Sequence, residues 1–152
     1  MSIDGVILKK IIKHCDDRGF FAEILRDDDD LLTHFGQLSW SMSYPGVIKA
    51  FHYHKEQDDI WFFPSGNVQV VLHDLRENSI TKGETNVHYM GEEDPNILFI
   101  PHGVAHGYRV LGEKSAIVIY CTTKSYNSIM PDEERIPWND ESIGFDWSTK
   151  HR

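Results

Sequence analysis

Turn-forming clusters recur at short intervals along most of this chain. Pro64-Ser65-Gly66-Asn67, Lys82-Gly83, Asp94-Pro95, Pro101-His102-Gly103 and Gly112-Glu113 leave no room between them for long elements. The runs they separate are short and rich in branched and aromatic residues: 7–12, 47–54, 60–63, 68–75, 85–90, 97–100, 107–111 and 116–122. Such runs bounded by Gly, Pro, Asn and Asp read as strands. Many short strands in series predict an all-β sandwich or barrel. One exception is expected. The acidic run Asp27 to Asp30 precedes Leu31, Leu32 and Phe35, and Gly36 follows. Acids in a first turn and Gly as a stop predict one short helix there.

The length, 152 residues, suits a single domain with its own core. Lys and Arg total 15 against 24 Asp and Glu, a formal charge of -9. That surface repels phosphate backbones, so no nucleic-acid partner is expected. No apolar run approaches the roughly 20 residues needed to cross a bilayer, and no membrane partner is expected. Cys15 and Cys121 lie far apart in sequence and in no C-x-x-C. They read as free thiols of a reducing compartment. The start, Met1-Ser2-Ile3-Asp4, shows no basic-then-apolar leader. A cytoplasmic location is expected.

The segment from Gly46 to His54 carries the strongest functional signal. Alternate residues of a strand share a face, so His52, His54 and Ala50 are expected to point together. A second segment, Ile100 to Gly107, makes a Pro-Gly turn and then brings in His106. Two such segments on facing sheets would aim His52 and His106 into one barrel mouth, a common ligand site. A strand histidine is more often a packing or surface residue. His14, His34, His73, His88 and His151 fall in no usable pattern.

Six blocks in order resemble the dTDP-4-dehydrorhamnose 3,5-epimerase family. Asp17 to Glu23 is similar to its D-x-R-G-x-F-x-E, and Gly46 to Tyr53 to G-V-x-R-G-L-H-Y. Asp74 to Gly83 is similar to D-x-R-x-x-S-x-T-x-G, and Ile100 to Gly107 to I-P-x-G-x-A-H-G. Tyr120 to Asn127 and Pro137 to Trp147 match its tyrosine-rich and W-N-D blocks. The resemblance implies a cupin-type jelly roll over 1–152 and an epimerase of a 4-keto-6-deoxy nucleotide-sugar, used in cell-surface polysaccharide biosynthesis. By position it implies His52 as the base and Tyr120 as the acid. It implies substrate contacts from Arg18, Glu23, Gln37, Lys49, His106, Tyr126 and Glu133. It also implies a homodimer that exchanges an N-terminal strand, placing Arg18 and Glu23 across the interface, and no cofactor.

Several positions depart from the family pattern. Lys49 stands for an Arg and loses its bidentate fork. Asp59 stands for the Lys expected to steady an enolate. The C-terminal S-x-K-D block, source of an Asp that orients the base, has no counterpart. Asp58, Asp59 or Asp74 is available in its place. A base-recognition Q-x-N becomes Gln37-Leu38-Ser39. Two other readings therefore stand. In one, His52, His54, Asp58 or Asp59, and His106 hold a metal in the general cupin pattern. In the other, the fold binds a sugar-nucleotide without catalysis. Trp40, Trp61, Phe62 and Phe63 are available to line the mouth. Trp138 and Trp147 read as anchors of a C-terminal flap.

Overall fold

The short apolar runs form strands in the computed structural model, which describes residues 1–151 and contains no helix among them. One sheet is ordered β1 (Ile7–Lys10), β9 (Asn96–Ile100), β6 (Asp59–Ser65), β11 (Ala116–Thr122), β4 (Gln37–Ser43). The other is ordered β12 (Glu134–Arg135), β5 (Ile48–Tyr53), β10 (Val104–Leu111), β7 (Asn67–Asp74), β8 (Thr85–Gly91). A hairpin of β2 (His14–Asp16) and β3 (Gly19–Phe21) stands apart from both. Every pairing is antiparallel, and most neighbours are distant in sequence. This is the wiring of a jelly roll.

The core forms where the two inner faces meet. Trp61, Phe63, Leu98, Ile100 and Val118 from the first sheet pack against Val70, Leu72, Val104, Tyr108 and Val110 from the second. Burial of such side chains supplies about 25 cal/mol per Å² of apolar area, the main force holding the layers together. The outer face of the second sheet is also covered. Phe51, Val71 and Ala105 pack there under Trp147, whose ring lies 5.6 Å from that of Phe51. That double coverage leaves β7 buried on both faces, with apolar Val70, Val71 and Leu72 in succession at its middle.

The helix expected after Asp27 is absent. Two of the four acids engage in contacts that compete with helical hydrogen bonding. Asp28 pairs with the Arg26 guanidinium, and Asp29 accepts the Arg26 N–H at 3.0 Å while its carboxylate also meets Lys9. Asp30 takes the left-handed conformation, φ 57°. Leu31 still reaches its apolar site, packing with Ile60, Ile97 and Cys121 on the outer face of the first sheet. The flap is also only half as expected. Trp147 is buried and donates its Nε1–H to the Trp138 carbonyl at 3.0 Å, whereas the Trp138 ring is about half exposed.

Candidate active site

Strand β5 delivers His52, but not by simple alternation. Across β5 and β10, His106 pairs with His52 while Tyr108 pairs with Lys49, so β5 carries a bulge in between. The bulge resets the faces. Lys49 and His52 both reach the interior cavity, while Ala50 packs into the outer layer with Phe51 and Trp147. The expectation that Ala50 shares a face with His52 is thus corrected. Gly107 makes the bulge possible: a Cβ there would sit 2.3 Å from the Ala50 Cβ.

The cavity has a volume of about 760 Å³, within the range of small-ligand sites. His52 and Lys49 line it from the second sheet, Tyr120 and Gln37 from the first, so the imidazole and the phenol project from opposite walls. His54, Asp59 and His106 form its inner part, and Tyr126, Glu133 and Arg135 belong to its rim. Gln37 accepts the Tyr126 N–H at 3.0 Å. Lys49 donates to Ser41 Oγ at 3.2 Å. Arg18 and Glu23 lie elsewhere. Arg18 pairs with Asp16 at the tip of the β2–β3 hairpin, and Glu23 pairs with Arg26.

None of the three carboxylates considered as an orienter of His52 touches it. Asp58 accepts both the backbone N–H and the Nδ1–H of His102 at 2.8 Å. Asp74 is enclosed by Arg76, Ser79 and Thr81. Asp59 faces His54 and His106. The carboxylate beside His52 is Glu133, with Oε1 3.1 Å from Nδ1. The oxygen is off the line of the ring N–H, so this is a close polar contact and not a directed hydrogen bond. Pairing of Arg135 with His52 through β12 puts Glu133 there. That two-residue strand has no sequence signature, and 133 read only as a substrate contact. Burial lowers the His52 pKa, opposed by Glu133 and aided by Arg135.

The metal reading of the sequence also needs correction. His54, Asp59 and His106 come together, but Asp58 is turned toward His102, and His52 lies outside the group. Asp59 is buried and held by Gln57 Nε2 at 2.8 Å and Trp61 Nε1 at 3.1 Å. Burial would raise its pKa, but the His54 hydrogen bond and the nearby imidazoles bring it down. Burial likewise opposes charge on His54, yet Asp59 and the Asp132 carbonyl raise its pKa. His106, wholly enclosed, is pushed down to about 4 by burial. Asp132, which sequence reasoning missed, braces this region. Its carboxylate accepts the backbone N–H groups of Lys55, Glu56 and Gln57 at 2.7, 3.0 and 2.9 Å.

The whole chain, residues 1–152, matches the sequence pattern described as dTDP-4-dehydrorhamnose 3,5-epimerase. The chain belongs to that family. The dTDP-4-dehydrorhamnose 3,5-epimerase family is one of carbohydrate epimerases, and this member is a nucleotide-sugar epimerase of cupin-type jelly-roll fold. It is 69% identical over 150 residues to the spore coat polysaccharide biosynthesis protein SpsL of Bacillus subtilis, covering 99% of each chain. It is 35% identical to the probable low-salt glycan biosynthesis epimerase Agl13 of Haloferax volcanii, covering 98% of this chain and 97% of the other. Among solved structures, the dTDP sugar isomerase of Desulfovibrio desulfuricans superposes with a TM-score of 0.88 at 28% identity, covering 95% and 92% of the two chains. The Legionella pneumophila epimerase in complex with dTDP-4-keto-L-rhamnose gives 0.87 at 28% identity, covering 100% and 83%. No helix of the described residues is long and apolar enough to cross a membrane.

Proposed function

We propose that this epimerase inverts a carbon next to the ketone of a 4-keto-6-deoxy nucleotide-sugar, with His52 as base and Tyr120 as acid. The observation that carries the assignment is the placement of these two groups on opposite walls of one cavity. A 4-keto group acidifies the C–H bonds at C3 and C5. Neutral His52 removes one proton, and the electron pair moves to the ketone oxygen as an enolate. Tyr120 then protonates the same carbon from the other face, and the stereocentre inverts. Burial favours the neutral ring of His52 before each turnover. Glu133 beside Nδ1 favours a proton there, leaving Nε2 as the basic atom.

Lys49, His106, Gln37 and Tyr126, which line the same cavity, serve as substrate contacts in this reading. Arg18 and Glu23 reach the ligand only from a second copy of the chain, which makes the active form a homodimer. Support for assembly comes from β4. Its alternation is inverted: Gln37, Ser39, Ser41 and Ser43 turn inward, while Leu38, Trp40 and Met42 are exposed. An apolar stripe on an edge strand needs cover, as do exposed Phe20 and Phe21 on the hairpin. The product serves cell-surface polysaccharide assembly, in keeping with the names of the relatives. Synthesis takes place in the cytoplasm, where exposed Cys15 stays reduced.

The test is solvent deuterium exchange, followed by NMR with dTDP-4-keto-6-deoxyglucose in D2O. Wild-type protein is expected to exchange at C3, C5 or both. His52→Ala is expected to lower exchange by about 10²- to 10⁴-fold, the usual worth of a general base. Tyr120→Phe is expected to retain exchange by His52 and lose net epimerisation. Binding without exchange in the wild type would overturn this substrate and the roles of His52 and Tyr120 on it.

A further inference from the structure

We propose that His54, Asp59 and His106 bind one divalent transition-metal ion at the inner end of the cavity. The argument starts from which ring nitrogens are free. His54 Nδ1 meets the carbonyl of Asp132, and His106 Nδ1 lies 2.9 Å from the carbonyl of Val104. A carbonyl oxygen only accepts, so each Nδ1 must carry the proton. In the neutral rings, both Nε2 atoms are then bare lone pairs. They point at one carboxylate: His54 Nε2 is 3.5 Å from Asp59 Oδ1, and His106 Nε2 is 3.7 Å from Asp59 Oδ2. All three ligand atoms lie within 4.8 Å of one another. Two lone pairs and an anion converging in a buried space favour a cation between them, either a metal ion or a proton on His54.

The two imidazole–carboxylate separations, 3.5 and 3.7 Å, suit an ion. Bonds of about 2.0–2.2 Å to nitrogen and oxygen place neighbouring ligands of a tetrahedral centre about 3.5 Å apart. The outer supports are in place as well. Each imidazole gives its other N–H to a backbone carbonyl, and the carboxylate is held by Gln57 and Trp61. Ligands of real metal centres are fixed in this manner. Two imidazoles and one carboxylate select Zn²⁺, Co²⁺, Fe²⁺ or Mn²⁺ over Ca²⁺ or Mg²⁺. All three residues line the cavity, so further coordination positions face the ligand space. Resting on the epimerase reading, the ion supplies the positive charge that Asp59 lacks, and stabilises the enolate oxygen.

The experiment uses full-length untagged protein. Metal content is measured after purification without chelator, and Co²⁺ is then titrated into chelator-stripped protein while visible absorption and thermal unfolding are recorded. One equivalent of Co²⁺ per chain, a d–d absorption band and a raised Tm are expected. His54→Gln and Asp59→Asn, both near-isosteric, are expected to lose the band while still unfolding cooperatively. Asp58→Asn, whose carboxylate belongs to His102, is expected to keep it. Should wild-type protein take up no stoichiometric Co²⁺, a proton on His54 is the cation that Asp59 meets, and the metal site is overturned. The same preparations are assayed for C–H exchange. Bound cobalt without exchange upholds the metal centre and sinks the proposed reaction of His52 and Tyr120 on this substrate. Exchange without bound cobalt does the reverse.

Discussion

Glu133 and Asp59 each face an imidazole, but their surroundings differ enough to divide their roles. The Glu133 side chain is about a third exposed and shares its second oxygen with Arg135 at 3.1 Å. Its contact with His52 can bias a tautomer without locking the ring. Asp59 is enclosed, and its contacts leave little freedom. Glu133→Gln is therefore expected to lower kcat by about 10- to 100-fold. That is well short of the roughly 10⁴-fold loss seen when a buried, directly bonded orienting carboxylate is made an amide. A change confined to KM would make Glu133 a binding group only. Steady-state kinetics with the deuterium-exchange rate separates the two. Sequence reasoning brought His52 and Tyr120 to one cavity because their blocks are local. It misplaced the orienter because nothing in 130–135 reveals that this segment runs beside β5.

The bulged pairing of β5 with β10 sets the direction of the strand that carries His52. Gly107→Ala places a methyl group 2.3 Å from the Ala50 Cβ and 2.7 Å from the Lys49 oxygen, so the bulge must shift. Overpacking of this kind costs about 1–3 kcal/mol, and chemical denaturation is expected to show that loss. Activity should fall further than stability, since Lys49 and His52 flank the displaced segment. At the far end of β7, Asp74 ties the strand to the following turn. Burial alone would raise its pKa, but hydrogen bonds from Arg76, Ser79 and Thr81 hold the carboxyl well below its usual range. The folded pKa lies below the unfolded value of about 3.9, so the stabilisation is present at neutral pH. It fades as pH falls below about 4 toward the depressed value. Asp74→Asn leaves Arg76 without its charge partner and is expected to cost about 3 kcal/mol at pH 7. The gap between wild type and variant should narrow below pH ~4 in thermal unfolding. A constant gap would show that the charge itself contributes nothing.

At the scale of the whole molecule, the -9 charge and the exposed apolar stripe of β4 pull against each other. Covering Leu38, Trp40 and Met42 in the proposed dimer would resolve the conflict. Sedimentation is expected to show a dimer, and Trp40→Glu to shift it toward monomer with weaker nucleotide binding. An unchanged dimer would move the interface elsewhere. The strand content, the turns and the sheet residues around His52, His106 and Tyr120 were determined by local sequence, because turn chemistry and β-branched runs act over a few residues. β4 was legible in its strict alternation but was passed over, since its polar side is the buried one. The loss of the helix at 27–30, the reversal of Ala50 and the joining of Glu133 to His52 were decided only in three dimensions. Each depends on a partner distant in the chain: Lys9 with Asp29, Gly107 with Ala50, β12 with β5. The same holds for Asp59, which reads as a defect in a row of letters. Among two imidazoles whose Nδ1 protons are committed to backbone carbonyls, it becomes the anion that both Nε2 atoms face.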